Sequence, residues 1–242
     1  MKKDYTLSYS SIKEFAKSPA HYLAYINRER KSSPAMDLGI AVHMSILEPK
    51  KFKDRFSVTE LRKNTNAFKD LQKENEKMKF LNKSDWYTVN KLTESVLSHP
   101  LASELLDGAE RKEEWVEGMI KGIKFRGIVD AYGVNYLVDL KTCRDGSPKE
   151  FQRSAYNFQY YLQAAIYSEL TGLEDFWIVT AETVAPYNIT PYLIDKSYME
   201  MGRRLLYRLI DDFKSWDGEW KGYDTMLSEN EFFTLTPPAW AK

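Results

Sequence analysis

One cysteine in 242 residues, Cys143, leaves no disulfide framework within the chain and no four-cysteine zinc or iron–sulfur site. That usage fits a reducing cytosol. Net charge is missing as well: 35 lysines and arginines cancel 35 aspartates and glutamates. Composition therefore gives no hint of nucleic acid, and any DNA-binding surface must come from segregating charge on one face. No run approaches the roughly eighteen apolar residues of a membrane helix. The opening MKKDYTLSYSS has two lysines with no apolar stretch behind them. The expectation is a soluble, cytoplasmic protein with no membrane partner. There is no glycine-rich phosphate loop, so no nucleotide hydrolysis is available to drive movement along a polymer, and there is no nucleophile elbow or internal repeat.

What is present is a chain that is 43% hydrophobic, long enough for one large domain over residues 1–242. Residues 1–110 read as mostly helical, 111–195 as a sheet with its helix, and 196–242 as a terminal helix and an irregular tail. The class is α/β. The most informative stretch is FRGIVDAYGVNYLVDLK, residues 125–141. It reads as two strands of a hairpin turning at 133–135, the first carrying Asp130 and the second carrying Asp139 and leading into Lys141. Side chains two apart on a strand share a face, so Asp139 and Lys141 point the same way, and a tight hairpin brings Asp130 alongside. Both acids sit in apolar runs, GIVD and YLVDL, where an unpaired carboxylate is costly. A hard divalent cation such as magnesium would partner them, and the lysine suits a phosphate or an attacking water.

A strand at 113–120 precedes, joined to one at 123–132 by a tight turn at Lys121-Gly122. Pairing Ile120 with Ile123 places Glu113 opposite Asp130, a candidate third carboxylate, with Glu114 the alternative if the loop differs by one residue. Upstream, Ser11 and Glu14 read as a capping box opening a helix through Lys17, broken at Ser18-Pro19. AMDLGIAVHMSILEP reads as a buried helix stopped by Pro49 and carrying His43, which by itself is a core histidine. A polar helix is expected at 67–79 within a lysine-rich surface segment, and a packed helix at 85–98. Downstream, a helix with a break runs from Pro148 to about Leu170 and puts Gln163 and Tyr167 on one face. Strands follow at 176–183 and 188–194, then a long helix with Tyr198, Met201, Leu205, Leu209, Phe213 and Trp216 along one side.

This order resembles the PD-(D/E)xK nuclease superfamily, and within it the RecE-like, exonuclease VIII type branch of phage recombination exonucleases. SYSSIKEFAKSPAHYLAY is similar to that branch's amino-terminal Ser…Ser-Pro-x-x-Tyr region. GIAVHMSILEP is similar to its Gly-x-x-x-His…Leu-Glu-Pro helix, QAAIY to its Gln-x-x-x-Tyr motif, and the closing PPAW matches loosely. Gly127-Ile128-Val129 stands where the superfamily's first motif has its proline.

The resemblance implies a restriction-endonuclease-like core, a central mixed sheet flanked by helices. It implies that Asp130, Asp139 and His43 are metal ligands, that Lys141 orients the attacking water, that Glu113 is an auxiliary acid, and that Gln163 and Tyr167 line the DNA side. Arg126, Arg144, Lys149 and Arg153 flank these positions and are the expected phosphate contacts. Magnesium is the expected cofactor, with manganese a working substitute because imidazole is tolerated better by manganese. The implied activity is ATP-independent 5′–3′ exonucleolysis of linear double-stranded DNA, leaving 3′ single-stranded tails. The implied partners are duplex ends, further copies in a ring of three or four, and a single-strand annealing protein. Two rival readings are a structure-selective or single-strand nuclease of the same superfamily and an inactive DNA-binding or docking module.

Overall fold

Lys121 and Gly122 both take positive φ, 46° and 79°. That is the local twist a two-residue hairpin turn needs, and it sets Ile120 opposite Ile123. The computed structural model describes residues 5–29 and 33–223. Its helices are α1 Tyr9–Phe15, α2 Pro19–Asn27, α3 Pro34–Leu47, α4 Pro49–Arg55, α5 Asn66–Glu74, α6 Lys83–Ser98, α7 Pro100–Asp107, α8 Pro148–Asn157, α9 Tyr160–Thr171 and α10 Lys196–Ser215. Its strands are β1 Thr6–Leu7, β2 Phe56–Val58, β3 Lys79–Leu81, β4 Arg111–Ile120, β5 Ile123–Tyr132, β6 Tyr136–Cys143, β7 Asp175–Glu182 and β8 Ile189–Leu193.

The main sheet is mixed. β4 runs antiparallel along one edge of β5, and the opposite edge of β5 is shared by β1 at Lys124 and Phe125 and by β6 at Ala131 and Tyr132. Between those two contacts the edge from Arg126 to Asp130 has no paired strand among the described residues. β6 then pairs in parallel with β7 along eight residues, with α8 and α9 in the crossover, and β8 closes antiparallel on β7.

Alternation along the strands sends side chains to two cores. On one face Leu7, Phe125, Leu137, Phe176 and Ile178 pack with residues of α1, α2, α9 and α10. On the other Ala131, Val138, Leu140, Val179 and Ala181 pack with α3, α4, α6 and α7. Phe125, Leu137 and Phe176 are at most 1% exposed, and each such side chain contributes about 1.5–3 kcal/mol of transfer free energy. The result is an α/β architecture, a central mixed sheet flanked by helices, as the sequence leads one to expect.

Several local expectations need correction. The first capping box is built by Ser8, whose hydroxyl accepts from the Ser11 amide while the Ser11 hydroxyl accepts from the Ser8 amide, so Glu14 has no part in it. Pro49 opens α4 instead of merely stopping α3, because a first-turn proline forfeits only an N–H that has no helical partner. The polar helix ends at Glu74, and Lys79–Leu81 pairs in parallel with Phe56–Val58. α7 was not anticipated; it is eight residues long and starts at Pro100, capped by the His99 ring nitrogen accepting from the Ala102 amide. No helix among the described residues is long and apolar enough to cross a membrane. The PPAW segment lies outside the described residues.

Candidate active site

The hairpin register puts Glu113 across from Asp130, since Lys112 pairs with Ala131 and Glu114 with Val129. Glu113 itself leaves the ladder with φ 52°. Opposite it the alternation of β5 also breaks: Val129 belongs to the α1/α9 core while Ala131, two residues on, belongs to the α3/α6 core. Glu114 turns away and pairs with Arg111 at 2.7 Å. Glu113 is thus the acid that faces Asp130.

The Asp130 side chain is 13% exposed. Its Oδ2 accepts a 2.7 Å hydrogen bond from the Leu140 amide and lies 3.4 Å from Nδ1 of His43 on α3. One ligand atom from each of His43, Glu113 and Asp130 falls within 4.8 Å of the others. They line an open cavity of about 600 Å³ that also includes Met36, Glu48 and Thr142. Burial, reinforced by the Asp130 charge, pushes the Glu113 carboxyl up to about 7. Burial also raises Asp130, with His43 opposing. Two crowded, partly desolvated carboxyl groups beside an imidazole are a donor set that a divalent cation would satisfy. Carboxylate oxygens suit magnesium, and the imidazole is compatible with manganese.

On the α9 side of the sheet, Asp139 and Lys141 do share a face. Lys141 Nζ lies 2.6 Å from Asp139 Oδ2, and Gln163 Nε2 donates to Asp139 Oδ1 at 2.6 Å. Burial works to lower the Lys141 ammonium, but the carboxylates of Asp139 and Asp130 outweigh it and hold its pKa raised. Lys141 therefore stays charged, 5.0 Å above the Tyr160 ring. Asp139, expected among the metal ligands, lies outside the His43–Glu113–Asp130 group. The cause is the alternation of β6: Val138 and Leu140 pack on the α3/α6 core, so Asp139 between them faces α9.

Tyr167 donates to the Ile128 carbonyl at 2.9 Å. A Cβ on Gly127 would come within 2.4 Å of the Tyr167 ring, so the residue in the proline's place is one that lets the tyrosine lie against β5. Of the expected phosphate contacts, Arg126 is exposed and lies over the Trp115 ring. Arg144 is exposed in the loop after β6. Lys149 and Arg153 instead line a separate cavity of about 860 Å³ between α8, β8 and the start of α10. Two tyrosines beside the site were not singled out in the sequence. Tyr160 underlies Lys141, and Tyr9 donates to the Phe158 carbonyl and has its pKa raised by burial and by Tyr160. Tyr9 sits inside SYSSIKEF, a segment matched as a motif without any role assigned to its side chains.

Over residues 8–219 the sequence matches the family described as "PDDEXK-like domain of unknown function (DUF3799)". No curated protein matches. Among solved structures, the chain is similar to a "Putative exonuclease" from Eubacterium rectale at 17% identity, covering 98% of this chain and 91% of that one, with a TM-score of 0.66. It is also aligned with a phage related exonuclease from Haemophilus somnus 129PT at 14% identity, 72% and 94% coverage and a TM-score of 0.33. At 17% identity the first likeness establishes a shared fold. The match over residues 8–219 establishes the family: this chain belongs to the PDDEXK-like domain family, and so to the PD-(D/E)xK nuclease superfamily that its acids and lysine resemble.

Proposed function

We propose that the chain is a metal-dependent, ATP-independent exonuclease that degrades linear double-stranded DNA from a 5′ end and leaves 3′ single-stranded tails for recombination. The observation that carries this reading is the meeting of His43, Glu113 and Asp130 within 4.8 Å, across the β5–β6 opening from the Asp139–Lys141 pair. A divalent ion bound there would supply Lewis acidity at the scissile phosphate. The chain's own residues do the rest. Lys141, kept charged by two carboxylates, is a compact cation able to hold a water or share charge developing on a phosphate oxygen. Asp139 and Gln163 fix where that amine points, and Asp139 is the remaining acid of the site. The similarity in fold to the protein named "Putative exonuclease" supports the choice of reaction. Polarity, the ring of three or four copies and the annealing partner rest on the resemblance to exonuclease VIII type enzymes.

The test is digestion of end-labelled linear duplex in magnesium or manganese without ATP, beside nicked and closed circles of the same sequence. Linear DNA should be degraded from its ends, and Asp130→Asn should slow this by about a hundredfold or more while DNA binding persists. Cutting of closed circles as readily as linear DNA would overturn the exonuclease reading. Full activity in Asp130→Asn would overturn the site. Light scattering gives the number of copies.

A further inference from the structure

The same face of β4 and β5 that holds Glu113 and Asp130 continues away from them as an open, aromatic and cationic track. Trp115 is two residues from Glu113 on β4, about 7 Å along the strand. It pairs across the ladder with Ile128, itself two residues from Asp130. Trp115 is 53% exposed and Ile128 43% exposed, and Trp115 belongs to neither core. Arg126 lies over the Trp115 ring at 5.7 Å. Across the groove the arrangement is repeated, with the Arg28 guanidinium 4.3 Å over the Tyr25 ring at the end of α2.

Trp115, Arg126, Tyr25 and Arg28, with Ile128, Tyr9 and Tyr167, line a cavity of about 750 Å³. Ile128 and Met36 border both it and the cavity of the acids. Among the described residues neither Arg28 nor Arg126 has a carboxylate ion pair. Among the described residues the exposed Glu29 is the acid lining this cavity, and Glu117, across the ladder from Arg126, is paired with Lys124 at 3.3 Å.

We propose that this groove binds an unpaired stretch of DNA next to the cleavage centre, with Trp115 and Tyr25 stacking on bases and Arg126 and Arg28 meeting phosphates. The inference rests on the nuclease reading for its substrate class and adds where and in what state the strand lies. Bases in a duplex are stacked on each other and do not offer their faces to side chains. An exposed tryptophan and a tyrosine, each accompanied by a guanidinium, therefore select a single strand, and they do so without regard to sequence. A charge-neutral chain has little general hold on DNA. Local stacking gives it a hold where the chemistry takes place.

The test is fluorescence anisotropy with labelled oligothymidylate in EDTA, so that no cleavage intervenes, beside a blunt duplex of equal length. Trp115→Ala and Tyr25→Ala should each weaken oligothymidylate binding by about five- to a hundredfold while changing duplex binding little. Trp115→Phe and Tyr25→Phe, which keep a ring, should retain most of the affinity and guard against misfolding as the cause. Arg28→Gln and Arg126→Gln should each lower the slope of log affinity against log salt by about one. Alanine variants that bind oligothymidylate like the wild type, with only the arginine variants weakened, would reduce the groove to a phosphate track and overturn the proposal. So would a wild type that does not bind the single strand. The two readings separate cleanly: if the stacking effects appear but no DNA is cut, the nuclease reading fails and the groove stands. Cleavage with silent aromatics removes the groove alone.

Discussion

Replacing Glu113 by Gln should stabilise the metal-free protein at pH 8 and weaken its response to metal. Burial and the Asp130 charge hold the Glu113 carboxyl at about 7 against an ordinary 4.5. A folded-state pKa above the unfolded one means that the folded state binds the proton more tightly. The associated stability is fully present below about pH 4.5 and lost as pH rises through about 7. Taken at face value the shift corresponds to about 3 kcal/mol, and solvent screening of this half-exposed group reduces that to about 1–2 kcal/mol. Glutamine keeps the shape and carries no charge to desolvate. In EDTA, Glu113→Gln should therefore melt a few degrees above wild type at pH 8 and coincide with it below about pH 4.5. Manganese should reverse the order. A ligand at a hundred times its dissociation constant stabilises by about 2.7 kcal/mol, and the variant, lacking a carboxylate donor, gains less of this. Thermal melts at two pH values, with EDTA or manganese, give all four comparisons. A variant no more stable than wild type at pH 8 in EDTA, or one with an undiminished manganese shift, would refute the reasoning.

Three further outcomes are expected. His43→Ala should lose cleavage activity in magnesium and recover part of it at high manganese; wild-type rates in magnesium would return His43 to the core. Lys141→Met strands the Asp139 carboxylate, 4% exposed, without its cation and should cost about 3–5 kcal/mol in urea unfolding. Adding Asp139→Asn should restore most of that loss, and a double variant as unstable as the single one would deny the coupling. Gly127→Ala drives a methyl into the Tyr167 ring and should cost about 1–3 kcal/mol, whereas the same change in a Tyr167→Ala background should cost little, a comparison made by a thermodynamic cycle.

The register of β4 and β5 was legible in the sequence because a two-residue turn and strict alternation leave one solution, and that solution set Glu113 against Asp130. The shared face of Asp139 and Lys141 was legible for the same reason. His43 could be placed on its helix from apolar spacing, but its approach to Asp130 depends on how α3 lies on the sheet, which no local pattern encodes. The two three-residue strands β2 and β3 pair across about twenty residues and are too short to show a period. That Asp139 is not in the group formed by His43, Glu113 and Asp130, although its charge still acts on Asp130, was also hidden. It depends on where β5 and β6 stop pairing, and they pair at only two positions.

That early parting of β5 and β6 is what makes a site possible here. A fully zipped hairpin would satisfy the backbone amides between the strands with carbonyls and leave no space for side chains. Instead the Leu140 amide, buried and in need of an acceptor, is met by the Asp130 carboxylate at 2.7 Å. Asp130 thereby ends the pairing and enters the gap in one step, with His43 and Glu113 beside it. The edge from Arg126 to Asp130, without a partner strand among the described residues, lets Tyr167 reach the Ile128 carbonyl. Removing the carboxylate would leave the Leu140 amide unsatisfied as well as the site incomplete, a loss of about 1–3 kcal/mol that has nothing to do with catalysis. Asparagine keeps an oxygen acceptor and removes the charge, and for that reason Asp130→Asn, rather than alanine, separates the chemistry of this residue from its part in the fold.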